Sequence, residues 1–187
     1  SSSVGAFNDI LSSILHHTAE TKTPLCYISA DKSLLRIFPR DLSRLTVFQS
    51  EKQSASLLNS VKRFAASQKK HSLIVVDDLS VWKDRLKSDK RVLELFEFLS
   101  TFALKKNSGF FCSAMRSSFD VNQLAEFKEQ STVCLDLIYH QNELYCQPLS
   151  LKGRYVPSEL LPLKLTLSNL KKEHRTTRSE EHTSELQ

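Results

Sequence analysis

Two adjacent carboxylates, Asp77 and Asp78, close the apolar run Leu73-Ile74-Val75-Val76 and lead into Leu79-Ser80. A buried strand that ends in Asp fixes a carboxylate at the carboxyl edge of a parallel sheet, where ligands bind and where a nucleotide hydrolase holds Mg²⁺. The same pattern also arises as a plain cap on the turn after a core strand, so the pair alone defines no activity. Phosphate chemistry needs a second part, a loop whose glycines let backbone N–H groups wrap the phosphates. The chain holds only Gly5, Gly109 and Gly153, each isolated. Asp77 and Asp78 are therefore expected to form a degenerate, metal-site-like position with no resident metal and no cofactor, in a chain that does not hydrolyse ATP alone. A true ATPase whose phosphate loop lies upstream of Ser1 stays open as an alternative.

Other chemistry finds less support. His16 and His17 are neighbours on a helical pattern, about 100° apart around the axis, and cannot chelate as an i, i+4 pair would. Ser, His and Asp occur without a nucleophile elbow, which leaves hydrolase chemistry unsupported. Cys26, Cys112, Cys134 and Cys146 occur singly, in or beside apolar strand-like runs, with no Cys-x-x-Cys pair. They read as buried reduced thiols of a reducing compartment. Trp82 and Phe48 stand near basic residues and could stack on bases, although core packing is the commoner fate of a lone aromatic. The cations Lys152 and Arg154, flanking Gly153, and the cluster Lys171, Lys172 and Arg175 are candidates to neutralise RNA phosphates without reading bases. The competing reading is a solvated turn and a subunit surface.

These groups need elements to hold them. Helical spacing marks residues 8–17, 54–70 (Leu57, Leu58, Val61, Phe64 and Ala65 on one face), 91–106 and 121–130, the last with Asp120 as N-cap. Gly109 is expected to end the third of these helices. Buried strands are expected at 25–28, 44–48, 73–76 and 110–114. The period then changes to two, at 133–139 and 144–146 around a turn at 140–142, and again at 163–167. The fold class is thus α/β, a mostly parallel sheet flanked by helices with antiparallel terminal strands, a layout shared by RecA-like ATPase cores.

The chain has 187 residues, 40% of them hydrophobic, and a net charge of +5. No apolar run approaches the roughly 18 residues needed to span a bilayer. The last ten residues, Arg178 to Gln187, match the translation of a sequencing-adapter oligonucleotide. They carry one Arg and three Glu, a net of −2, which leaves +7 on the rest. Together with an opening at Ser1 without methionine, this suggests an interior fragment: a RecA-like domain truncated at its N-terminus over 1–168, a basic extension over 169–177, and read-through over 178–187. A basic body suits a nucleic-acid or acidic-protein partner.

The stretch His71 to Ser80, taken with Pro162 to Glu173, resembles the RecA-like accessory subunits of Elongator, the complex that modifies wobble uridines of tRNA. Val76-Asp-Asp-Leu-Ser80 is similar to the corresponding strand of the sixth-subunit family. Leu163-Lys-Leu-Thr-Leu-Ser-Asn-Leu-Lys-Lys-Glu173 is similar to the Leu-Thr-Phe-Asn-Leu signature and Lys-Lys-Glu run of the fifth-subunit family. Leu163, Leu167, Lys171, Lys172 and Glu173 match; Leu165 stands for Phe, Thr166 for Asn and Ser168 for Gly. The fifth-subunit family is preferred, because the terminal signature is the less generic of the two. The resemblance implies a pseudo-ATPase, not an enzyme, in a hetero-hexameric ring with related subunits. It also implies weak, shape-directed tRNA binding and a cytoplasmic, partly nuclear location. Another RecA-like paralogue, such as a DNA-repair recombinase cofactor, is the remaining alternative.

Overall fold

Four short apolar runs align into one parallel sheet. The computed structural model describes residues 3–30, 44–49, 56–140, 143–154, 156 and 161–162. Strands β1 (Leu25–Ser29), β2 (Leu45–Gln49), β3 (Leu73–Val76) and β4 (Gly109–Phe111) lie in the order β2-β1-β3-β4, every pair parallel. β1 and β3 are the inner strands. All five residues of β1 are buried, as are Ile74, Val75 and Val76, which is what a run covered by helices on both faces requires.

Side-chain alternation divides the core in two. Cys26, Ile28, Ile74 and Val76 face a large cluster filled by helices α2 (Leu57–Ala66), α3 (Leu79–Leu86), α4 (Asp89–Lys105) and α5 (Val121–Gln130). Leu25, Tyr27 and Val75 face the other side, where Leu11 and Leu15 of helix α1 (Ser3–Glu20) cover them. α1 is thus the one helix among these five whose residues join the second cluster. The apolar pairs Ile10-Leu11 and Ile14-Leu15, four residues apart, form the stripe from which Leu11 and Leu15 are buried.

Local sequence explains the helix ends. Asp120 accepts from the Gln123 backbone N–H at 2.9 Å while the Gln123 side chain accepts from the Asp120 N–H at 3.0 Å, a complete capping box at the expected N-cap of α5. α4 does not stop at Gly109. Asn107, at φ +50°, turns the chain into the left-handed region; Ser108 N–H then donates to Ala103 C=O and Asn107 N–H to Leu104 C=O, the bond pattern of a Schellman C-terminus. Gly109 opens β4 instead, and a Cβ there would lie 2.9 Å from Leu73 Cδ1. Its role is close approach to β3. α2 is also shorter than the 54–70 spacing suggests, and α3 is a helix that the spacing does not announce.

The last strands form a sheet of their own, antiparallel and ordered β5 (Val133–His140), β6 (Glu143–Leu151), β7 (Leu161–Pro162). The expected strand at 163–167 and the turn residues 141–142 lie outside the described residues. Among the described residues no helix is long and apolar enough to cross a membrane.

Candidate functional site

Asp77 follows β3 directly and is 1% exposed. A buried carboxylate is costly unless its oxygens are matched by donors, and here they are. Oδ2 accepts from Ser29 Oγ at 2.9 Å and from the Ala30 backbone N–H at 2.8 Å; Oδ1 accepts from Trp82 Nε1 at 2.6 Å. The carboxylate ties the end of β1 to the end of β3 and to α3. Trp82 is fully buried and belongs to the core, so its indole serves as a donor to Asp77 and not as a stacking platform. Phe48 likewise packs inward, 5.2 Å from Phe64.

Asp78 has a different task. It is the N-cap of α3, and its Oδ1 accepts from Ser80 N–H at 2.8 Å, satisfying one of the donors a helix start leaves open. Ser80 Oγ in turn accepts from the Met115 N–H at 2.9 Å, and Leu79 N–H donates to Ser113 C=O at 2.8 Å. The β3–α3 turn is thereby clamped to the segment after β4. Asp78 performs the turn-capping work that the sequence pattern equally allowed, while Asp77 braces the ends of β1, β3 and α3. Ser29, Ala30 and Trp82 are the partners sequence reasoning missed; Ser29 lies 48 residues from Asp77, beyond the reach of any local pattern. The five-residue spacing from Asp77 to Trp82 was the one available signal.

Between the two sheets runs a groove of about 1300 Å³. Asp78, Cys112 and Cys134 border it, as do Ile10 and Ile14 of α1. All four cysteines are free thiols. Burial pushes the Cys26 thiol up to about 12. Cys112 is likewise pushed up to about 12, by burial first and then by the neighbouring Cys134 and Asp78. Such thiols stay protonated and unreactive at neutral pH.

His16 and His17 are exposed on α1. Among the described residues no group of three or more His, Cys, Asp or Glu side chains is placed to hold a metal. Lys152 and Arg154 are exposed in the turn that follows β6. There Arg154 N–H donates to Leu151 C=O at 3.0 Å and Gly153 adopts φ +76°, the conformation a type II turn asks of its third residue. Lys171, Lys172, Arg175 and the signature residues Leu163, Leu167 and Glu173 lie outside the described residues.

A parallel α/β sheet with helices on both faces, followed by an antiparallel sheet, is the RecA-like class of fold. Solved structures of that layout superpose on the chain. A KaiC-like protein from the hyperthermophilic archaeon Pyrococcus horikoshii aligns at a TM-score of 0.53 and 14% identity, covering 79% of this chain and 74% of its own. The flagellar accessory protein FlaH of Methanocaldococcus jannaschii aligns at 0.56 and 12% identity, covering 80% of this chain and 76% of its own. No family model and no curated protein sequence matches the chain.

Proposed function

We propose that this chain is a non-catalytic RecA-like subunit that acts by assembly, an Elongator accessory subunit of the fifth-subunit kind. In that reading it joins related subunits in a hetero-hexameric ring and supports wobble-uridine modification of tRNA. The observation that carries the non-catalytic part is Asp77: both of its oxygens accept hydrogen bonds from buried groups of the protein itself. A carboxylate used as a brace is poorly disposed to hold Mg²⁺, whose octahedral shell demands free oxygens and several waters. Support for the Elongator assignment comes from the sequence resemblance, and support for the architecture comes from the RecA-like fold.

Two measurements test the reading. Tagged at its natural locus, the full-length protein should co-purify with Elongator subunits in equimolar amounts; recovery with DNA-recombination proteins instead would favour the recombinase-cofactor alternative. The isolated protein should show no Mg²⁺-dependent ATP turnover. Turnover lost on Asp78→Ala would favour the ATPase alternative, which Asp78 supports through its place at the groove on the carboxyl edge of β3.

A further inference from the structure

Resting on the proposed function for its RNA partner alone, we propose that the amino edge of the four-stranded sheet is the surface that holds the RNA phosphate backbone.

Strand register builds that surface. Leu25 pairs with Leu45 and with Leu73, and Leu73 pairs with Gly109, so all four strands start at one edge. The residues just ahead of them therefore stand side by side: Arg44 before β2, Lys22 before β1, Lys69 and Lys70 before β3, Lys105 and Lys106 before β4. Adjacent strands lie about 4.8 Å apart, which makes the row about 14 Å long. Backbone bonds fix it in place. Leu25 N–H donates to Arg44 C=O at 3.1 Å, Leu73 N–H to Pro24 C=O at 2.8 Å and His71 N–H to Lys106 C=O at 3.2 Å. Arg44 Nη1 donates to Lys22 C=O at 3.0 Å.

The charge of this edge is not offset locally. Five of the six cations are exposed, and Lys106 is half-buried with Nζ 5.5 Å from the Phe102 ring. Segments 21–24, 67–72 and 104–108 contain no Asp or Glu, and among the described residues none of the six forms an ion pair. The nearest acid in the described sequence is Glu20, exposed on the last turn of α1. Asp77 and Asp78 are at the opposite edge of the sheet. Helix dipoles account for little of this, because a cation complements a helix only within its last turn. Of the six only Lys105 lies inside a helix; Lys22, Lys69 and Lys70 stand beyond the helix ends.

The backbone gives a second, independent sign. Lys22 at φ +53° and His71 at φ +58° occupy the left-handed region, which a Cβ disfavours and glycine adopts freely. The matching turn after α4 has Asn107 at φ +50°, a residue suited to that conformation. Lys22 and His71 thus stand, exposed, where a smaller residue would be more stable. The same turns carry no Phe, Tyr or Trp to stack a base, so contact is to phosphates and carries no sequence preference. Leu104 alone adds a large exposed apolar side chain, which is no apolar centre of the kind a protein partner covers.

Titration of tRNA against the protein at several salt concentrations tests the proposal. Lys69→Gln/Lys70→Gln/Lys105→Gln should bind at least about tenfold more weakly at equal salt, with a slope shallower by about two to three units. A control that removes the same charge around the start of α4, Lys87→Gln/Lys90→Gln/Arg91→Gln, should stay within about twofold of the unaltered protein. Lys22→Gly should bind tRNA more weakly yet melt no lower, because it relieves the left-handed backbone while removing a cation; a loss of affinity caused by unfolding would lower both. Equal affinity and slope in the Lys69/Lys70/Lys105 variant and the unaltered protein would overturn the assignment of this edge and leave an RNA role to other surfaces. No tRNA binding by the unaltered protein would overturn the edge and the RNA role together. An equal loss in the control would show that overall charge holds the RNA, and tighter binding to anionic phospholipid vesicles than to tRNA would make the partner a membrane surface; either result overturns the proposal.

Discussion

The carboxyl end of β3 and the outer edge of β5 are built in opposite ways. At β3 the polar groups are turned inward and matched: Asp77 meets three donors, and Asp78 caps α3. At β5 the apolar side chains of Val133 and Leu135 are turned outward and left uncovered. In a RecA-like domain the first region is where a hydrolase keeps its metal, and here it is closed by the protein's own bonds. The second region presents exposed apolar side chains along the groove. The difference teaches that the polar groups at the end of β3 are used within the fold, whereas the apolar groups of β5 are left exposed.

The sharpest way to break that comparison is to remove the carboxylate. Asp77→Ala removes the acceptor that Ser29 Oγ, the Ala30 N–H and Trp82 Nε1 share in the interior, and unsatisfied buried donors cost about 1–3 kcal/mol each. Discounting for relaxation, urea denaturation should show a loss of about 3–5 kcal/mol. Asp77→Asn retains acceptor capacity on one oxygen and should lose less. A loss under about 1 kcal/mol for Asp77→Ala would mean that the carboxylate is not a brace and would reopen its use as a metal ligand.

The thiols offer a second test, through pH. Burial raises the Cys26 thiol from 9.0 to about 12 in the folded chain. Its contribution is therefore fully present below pH 9 and is lost as pH rises from 9 toward 12, because the unfolded chain ionises first. The slope is about 1.4 kcal/mol per pH unit for each such thiol. Cys26→Ala should flatten the alkaline arm of the stability curve by that amount, whatever its constant cost in packing. An unchanged slope would show that the thiol is open to water.

Asp78→Ala should cost less, about 1 kcal/mol, the usual value of an N-cap. A thermal melt of the single variant measures it. If the loss matched that of Asp77→Ala, the two carboxylates would be acting as one unit and not as brace and cap.

Local signals in the sequence carried far, and their limit is visible residue by residue. The apolar run before Asp77, the N-cap Asp120 and the alternation after Val133 each act within a few residues, and each marks an element that forms. What was not legible depends on contacts across the sheet. Ser29 and Ala30 reach Asp77 only after β1 and β3 have paired. Gly109 looks like a helix stop, yet its lack of a side chain is used against Leu73, 36 residues away. α3 escaped notice because its buried positions, Leu79, Trp82 and Leu86, span only two turns. The groove has no sequence signature, since it lies between two sheet edges that pair with no strand among the described residues.

The smallest effect on the protein itself is expected at the turn after β6. Lys152 and Arg154 are exposed on either side of Gly153, so Lys152→Ala/Arg154→Ala should change stability by less than about 0.5 kcal/mol. Under the proposed function the same pair contributes phosphate contacts to tRNA. Each contact that releases a condensed counterion adds to the dependence of affinity on salt, so in the assembled ring the double variant should bind tRNA less tightly, with a slope shallower by about one to two units. The reading of these cations as a solvated turn gives a different result: affinity and slope both unchanged at every salt concentration. Titration of tRNA against wild-type and variant rings between about 50 and 200 mM salt separates the two. Gly153→Ala completes the comparison, because it strains a backbone at φ +76° while keeping both charges. Weaker binding in that variant, with the salt slope preserved, would show that the turn presents its cations in a fixed geometry and that tRNA is held by shape as well as by charge.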